Sequence, residues 1–375
     1  MRVLVAPDKF KGSLTAREVA ARVAAGIGAE APGVEVEQVP VADGGDGTLD
    51  AAVAAGYTPV EVRAQGPTGE PVTTAFAARD DVAVVEMADV SGLALLMPDR
   101  LDALGASSYG TGEVVRAALD HGCREIVLGI GGSASTDGGA GVVAALGARL
   151  LSSDGRSLAP GGAALADLAR LDLSGLHPAL AETRVVVASD VDNPLLGPNG
   201  AAAVYGPQKG ASPSDVEALD KALGRWADVV EAAAGGAARD RPGAGAAGGV
   251  GFAAMAVLGA ELQSGIGLVL DLVGFADRLP GTGLVVTGEG SLDTQTLSGK
   301  TPAGVAAAAR EAGIPVVTVS GRVALTADQL AGAGIRRAYA LTDIESDPDR
   351  CFSEAGPLLQ ELARTLARDW LKEER

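Results

Sequence analysis

RVLVAPDKFKGSLTAREVAARVAAGIGAEA, residues 2–31, decides the reading of the fold. Arg2 to Ala6 is a short apolar run of the buried-strand kind. Thr15 to Ala31 is alanine-rich and helical in character, with Thr15 placed as an N-cap. A strand, a loop and a helix in that order form one unit of a parallel sheet. The C-terminal part repeats the theme: Leu284 to Thr287, Pro315 to Ser320 and Ala338 to Leu341 are short apolar runs, with helical segments over about 302–313, 326–333 and 353–371. Such alternation predicts an α/β fold, a parallel sheet with helices on its faces.

Between about residues 58 and 90 the pattern changes. YTPVEVRAQ, PVTTAFAARD and VAVVEMA are strand-like runs joined by the turn-forming GPTGEP and RDD, so these strands are expected to be antiparallel. Helical and buried-strand units then resume in GTGEVVRAALDHG, EIVLGI, GAGVVAALGARLL and RVVVASDV. The chain of 375 residues is long enough for two cores. The expected organisation is a discontinuous Rossmann-like domain over 1–60 and 284–375, with a second α/β domain inserted over 61–283. Pro242 to Ala260 is uncharged and long enough to span a membrane, but its proline and glycines favour a loop leading into a buried helix.

Thirty basic against 48 acidic residues give a net charge of -18, which disfavours nucleic acid and anionic membrane surfaces. An acidic chain that binds an anion must concentrate positive charge locally. Two distant cysteines, Cys123 and Cys351, offer no zinc framework and fit a reducing compartment. MRVLVAPDKF has none of the marks of a signal peptide, so a cytoplasmic location is expected. The two histidines form no triad or metal spacing with the cysteines, which leaves acid or base chemistry to carboxylates.

Only six of the 30 basic residues are lysines, and four of them, Lys9, Lys11, Lys209 and Lys300, lie in glycine-rich loops; Lys221 and Lys372 read as surface residues. In APDKFKGSLT, Asp8, Lys9, Lys11 and Ser13 follow the first strand, placed to converge on an anion; a solvated loop with a helix cap is the plainer reading. In VADGGDGTLD, Gly44 and Gly45 let a ligand approach the backbone while Asp43 and Asp46 offer oxygen to Mg²⁺; the alternative is an ordinary Asp/Gly turn. GGDGT also resembles the nucleotide loop of the NAD kinase and diacylglycerol kinase group.

EIVLGIGGSASTDGGAGV, residues 125–142, runs from a buried strand through a loop containing Gly131, Gly132, Ser133 and Ser135, which suits a phosphate. Its G-x-G-x-x-A spacing lacks the acid about 20 residues on that a dinucleotide fingerprint needs. In ASDVDNPLLG, Asp190, Asp192 and Asn193 follow the apolar run RVVVAS, where an open α/β sheet places catalysis, and Lys209 follows in YGPQKG. TGEGSLDTQTLSGKTP, residues 287–302, nearly spells a P-loop but has Thr294 for the first glycine; Glu289, Asp293 and Lys300 are its ligand candidates.

Taken together, APDKFKGSLTA, ADGGDGT, SYGTGE, GIGGSASTDGG, DVDNPLLG with YGPQKGA, GAGAAGGVG and GEGSLDTQTLSGKTPAGV resemble, in order and over most of the chain, the bacterial glycerate kinase family of the first type. Asp46 and Thr136 stand where the family pattern carries Glu and Asn. The resemblance implies two α/β domains with the active site in the cleft between them, and ATP-dependent phosphorylation of D-glycerate to 2-phosphoglycerate.

On that basis Asp190 is expected to orient the hydroxyl, with Lys9 and Lys11 pairing with the transferring phosphoryl group or the substrate carboxylate. Ser13, Asp8, Asp192, Asn193 and Lys209 are expected at the substrate. Gly44, Gly45, Gly131, Gly132, Ser133, Ser135 and Lys300 are expected at ATP. Mg²⁺ is left to Asp43 and Asp46 or to Glu289 and Asp293. A homodimer is compatible with the reading. The rivals are a kinase of another hydroxy or sugar acid, an organic-acid sensor without catalysis, and a nicotinamide dehydrogenase.

Overall fold

In β1 (Arg2–Pro7), Val3 and Val5 pack into one apolar cluster while Leu4 and Ala6 pack into another, and all four are fully buried. A strand with no polar face suits a parallel sheet covered on both sides. The computed structural model describes residues 1–371 and builds such a sheet around β1; Lys372 lies outside the described residues.

The further strands are β2 (Glu35–Gln38), β3 (Thr58–Gln65), β4 (Pro71–Arg79), β5 (Val82–Glu86), β6 (Glu125–Gly129), β7 (Arg149–Leu151), β8 (Arg170–Asp172), β9 (Arg184–Ala188), β10 (Glu261–Gln263), β11 (Thr282–Leu292), β12 (Val316–Val323) and β13 (Ile335–Ala340). With them run the helices α1 (Ala16–Glu30), α2 (Thr48–Ala54), α3 (Tyr109–His121), α4 (Ala140–Ala145), α5 (Pro213–Ala234), α6 (Ala246–Val257), α7 (Gly265–Leu272), α8 (Thr301–Glu311) and α9 (Ala355–Trp370). The chain forms two compact units. One holds Met1–Asp43, Asp50–Gly56 and the residues from Gly265 onward; the other holds Gly44–Leu49 and Tyr57–Ser264.

The first unit is an all-parallel sheet in the order β13-β12-β11-β1-β2, with Val3 opposite Leu284 and Val5 opposite Val286. On one face Val3, Val5 and Val286 meet Val23 of α1 and Leu362 of α9. On the other, Leu4, Ala6 and Val285 meet Ile266 and Val269 of α7 and Val305 of α8. Residues 265–283, which the sequence reading assigned to the inserted domain, thus belong to this unit's core. GIGLVLDL is apolar nearly all round, so its pattern identifies burial but not the sheet it is buried against. Thr15 caps α1: its hydroxyl accepts the Glu18 N–H at 3.2 Å, and the Glu18 carboxylate accepts the Thr15 N–H at 2.8 Å.

The second unit contains a mixed sheet in the order β10-β9-β6-β5-β4-β3. β3, β4 and β5 pair antiparallel, as their turns predict, while β5, β6, β9 and β10 pair parallel. The β7–β8 pair is a separate antiparallel ribbon. Val85, Ile126, Leu128 and Val187 form one core with Val115 of α3. A second core gathers around Trp226 of α5 with Leu223 and with Phe252 of α6. The glycine-rich start of α6 itself passes through left-handed Ala247, Gly248 and Gly249 before the helix settles. Among the described residues no helix is long and apolar enough to cross a membrane.

One boundary alters a site residue. β11 continues to Leu292, so Glu289, read from the sequence as a loop residue, sits on a strand. The continuation depends on Gly288: a Cβ there would lie 1.9 Å from the Val319 carbonyl oxygen. Glycine is a poor strand former by propensity, and here close backbone approach overrides it.

Helices α1 and α9 also meet through a glycine. A Cβ on Gly26 would lie 2.4 Å from the Gln360 carbonyl oxygen and 2.6 Å from the Ala363 Cβ, whereas one on Gly28 would meet nothing within 4 Å. Gly26→Ala is therefore expected to destabilise the protein by about 1–3 kcal/mol through overpacking. Gly28→Ala, gaining helix propensity, should be neutral or stabilising by up to about 1 kcal/mol. Urea unfolding of the two variants checks the contrast; equal effects would contradict the packing described.

Candidate active site

In the first unit the candidates gather beyond the C-terminal end of β1. Asp8 is buried, and its amide donates to the Gly288 carbonyl at 2.8 Å. One carboxylate oxygen accepts the Lys9 N–H at 2.6 Å and the other accepts the Thr301 hydroxyl, at the start of α8, at 2.8 Å. Burial pushes the Asp8 carboxyl up to about 7, Asp43 adds to the rise, and Lys9 and the hydrogen bonds oppose it. Glu289 is half-buried and accepts a hydrogen bond from the Thr296 hydroxyl. Burial, Asp293 and Asp43 raise its pKa, while Thr296 and Lys300 lower it. Asp8, Asp43, Glu289 and Asp293 thus share one electrostatic neighbourhood with Lys9 and Lys300. Lys11 is exposed, and the Ser13 hydroxyl donates to the Phe10 carbonyl at 3.1 Å, within its own turn.

The metal candidates divide between the units. Asp43 and Asp293 both act on Glu289, whereas Asp46 belongs to the Gly44–Leu49 segment and acts on Glu86. Among the described residues no three His, Cys, Asp or Glu side chains are grouped to hold a metal ion. Mg²⁺ does not need such a cage, since it commonly takes one or two carboxylates and completes its shell with phosphate and water. Hard oxygen donors such as Asp43, Glu289 and Asp293 suit that ion.

In the second unit two glycine-rich stretches lie against each other. A Cβ on Gly129 would sit 2.8 Å from the Gly44 carbonyl oxygen, and one on Gly131 would sit 2.7 Å from the Gly45 Cα. Close backbone packing therefore accounts for these glycines without a ligand. Glu86, at the end of β5, fastens the same segment: its two carboxylate oxygens accept the Gly47 and Leu49 N–H groups at 2.9 and 3.0 Å. Burial, followed by Asp89, raises the Glu86 pKa to about 8. The sequence reading passed over Glu86, although an acid closing the apolar run VAVV was its visible signal.

In the loop after β6 Gly131 is half-buried and Gly132 exposed, while Ser133 to Ala140 are buried. Asp137 organises the buried part. Its carboxylate accepts the backbone N–H groups of Ser108, Gly139 and Gly141 at 2.8–3.1 Å and the Ser108 hydroxyl at 2.9 Å. Lys209, expected at the substrate, is also buried, and it donates to the Ser133 hydroxyl and the Ser135 carbonyl.

Asp190 and Asp192 are exposed just beyond β9, whose own residues from Val185 to Ala188 are buried. They line a pocket of about 490 Å³ with Ser189, Arg241, Gln263 and Ser264. Arg241 did not stand out in the sequence because 24 arginines mask any one of them. Asn193, expected at the substrate, donates from its amide to the Asn199 carbonyl at 2.9 Å and accepts the Tyr205 hydroxyl at 2.7 Å.

Asp8 gives the ligand-free protein a signed pH dependence. Its folded pKa lies above the ordinary 3.8, so its stabilising contribution is complete below that value and is lost as pH rises through about 7. From about pH 5 stability should fall by at most about 1.4 kcal/mol per pH unit on this account, levelling off above about pH 7. Asp8→Asn should flatten that slope in urea unfolding; an unchanged slope would show that Asp8 does not take up the proton.

The comparisons agree over nearly the whole chain. A sequence model of the glycerate kinase family matches residues 3–371. A glycerate kinase of Bacillus subtilis (strain 168) is 42% identical over 370 residues, covering 98% of this chain and 97% of that protein. The glycerate 2-kinase of Escherichia coli (strain K12) is 40% identical over 370 residues, with 98% and 97% covered. A crystal structure described as a glycerate kinase 2 from Salmonella typhimurium LT2 superposes with a TM-score of 0.86 at 40% identity, covering 98% of each chain. Sequence and architecture therefore agree that the chain belongs to the glycerate kinase family.

Proposed function

We propose that the protein transfers the γ-phosphoryl group of ATP to the 2-hydroxyl of D-glycerate, giving 2-phosphoglycerate and ADP. Asp190 carries the assignment of the chemistry: an exposed carboxylate directly after a buried parallel strand, on a polar pocket that it shares with Asp192 and Arg241. Asp190 accepts the hydrogen bond of the 2-hydroxyl and aims its oxygen at the phosphorus. Phosphoryl transfer passes through a loose transition state in which positioning outweighs base strength, so an ordinary aspartate suffices. Arg241 pairs with the glycerate carboxylate, a planar match that a guanidinium makes well.

Lys9 and Lys11 counter the charge of the transferring phosphoryl group or of the substrate carboxylate, and Lys300 that of the nucleotide. The Gly131–Gly132 backbone meets the ATP phosphates, supported by the Gly44–Gly45 segment packed against it. One or two carboxylates of the set Asp43, Glu289 and Asp293 would hold Mg²⁺, which when bound neutralises phosphate charge. The two free cysteines support a cytoplasmic setting.

Coupled ADP release with D-glycerate, related hydroxy acids and NAD as acceptors tests the substrate, and phosphorus NMR of the product tests the position. Asp190→Asn is expected to lower kcat by roughly 10²–10⁴-fold while the affinity for ATP stays within a few-fold. Near-normal turnover of that variant would remove Asp190 from the mechanism.

A further inference from the structure

Lys209 ends a 3₁₀ turn, Pro207–Lys209, and turns its ammonium into the interior, where 2% of the residue remains exposed. Its Nζ donates to the Ser133 hydroxyl at 2.9 Å and to the Ser135 carbonyl at 2.5 Å. In the same loop the Ser135 and Thr136 hydroxyls are buried without a hydrogen-bond partner among the described residues, so those side chains do not hold it. Asp137 favours the charged ammonium, whereas burial opposes it and pushes the Lys209 pKa down to about 7. Burying an ammonium is costly, and an apolar chain of similar length would fill the space without that cost. The two acceptors give the charge a purpose that packing alone does not.

Both acceptors belong to the stretch that continues directly from Gly131 and Gly132. Gly132 is exposed with a left-handed φ of 71°, Gly131 is half-buried, and among the described residues their N–H groups meet no protein acceptor. The Gly132 carbonyl accepts the Leu93 N–H at 2.8 Å, and the Ala134 N–H donates to Ser91 at 2.9 Å. One side of the loop is thus tied by backbone and the other by Lys209.

We propose that Lys209 is a positioning residue for phosphoryl transfer, holding the Ser133–Ser135 backbone from within so that the Gly131–Gly132 N–H groups face the ATP phosphates. The inference rests on the assignment of this loop to the nucleotide. It also revises the sequence expectation, because an ammonium committed to Ser133 and Ser135 acts through the loop and not on glycerate.

The test compares the full-length protein with Lys209→Met and Ser133→Ala. It measures calorimetric affinity for a non-hydrolysable ATP analogue, KM for ATP and for D-glycerate, and thermal unfolding. Lys209→Met should weaken the analogue and raise KM for ATP by roughly tenfold or more, as loss of a supporting partner does at other sites, with KM for D-glycerate within about twofold. Ser133→Ala should act in the same direction by a smaller factor, and it decides the question if Lys209→Met does not fold. A rise confined to KM for D-glycerate would make Lys209 a substrate ligand and overturn the proposal. A lower unfolding temperature with unchanged affinity and KM for ATP in the folded protein would overturn it as well. If the wild-type protein binds no analogue, the assignment of the loop to ATP fails, which is a different result from equal binding by wild type and variants.

Discussion

A charge taken out of water must be met by hydrogen bonds or an opposite charge, and this requirement shapes the residues around the candidate site. Asp8, Glu86, Asp137 and Lys209 are all buried, and each holds chain that does not belong to its own element. Asp8 ties the end of β1 to the start of α8. Glu86 ties the end of β5 to the Gly44–Leu49 segment. Asp137 ties its loop to Ser108, and Lys209 ties the 3₁₀ turn to Ser133 and Ser135. Replacing any one by an apolar residue would leave donors or acceptors in the interior without partners, which costs more than the original bond contributes.

The glycines answer to the same interior. In a motif such as GIGGSASTDGG the usual argument is that glycine lets a ligand approach the backbone. Here most of the glycines let the protein approach itself: Gly131 against Gly45, Gly138 against Trp226, and Gly139 against Ala253 and Val250. Gly132 differs, being open and left-handed. A phosphate-binding surface in this loop is therefore narrower than its glycine count implies, and its shape is inherited from the packing beneath.

How much of this was legible in the sequence depended on whether a residue's role was local. The buried run of β1, the Thr15 cap and the antiparallel turns between β3 and β5 depend on neighbours a few residues away, and they were readable. So was the position of Asp190, exposed beyond the end of an apolar strand, while the role proposed for it is chemistry that position alone does not fix. The placement of residues 265–283, the extension of β11 through Glu289 and the burial of Lys209 depend on residues distant in the chain. Asn193 shows the limit most clearly: Asp-Asn-Pro after a strand looks like a ligand turn, and only the fold reveals that Tyr205 and Asn199 take up its amide.

The lysines that drew attention in the sequence consequently do not form one class. Lys11 is exposed, and Lys9 and Lys300 are partly buried beside carboxylates whose pKa values they lower. Lys209 is enclosed and directed at protein acceptors. An exposed ammonium reaches an anion with its full flexibility but is screened by water and salt. A buried one is screened far less, yet it is fixed in place and can serve only groups that the fold brings to it. Scarcity of lysine in an arginine-rich chain singles out loops, and burial separates the lysines open to solvent from the one directed at Ser133 and Ser135.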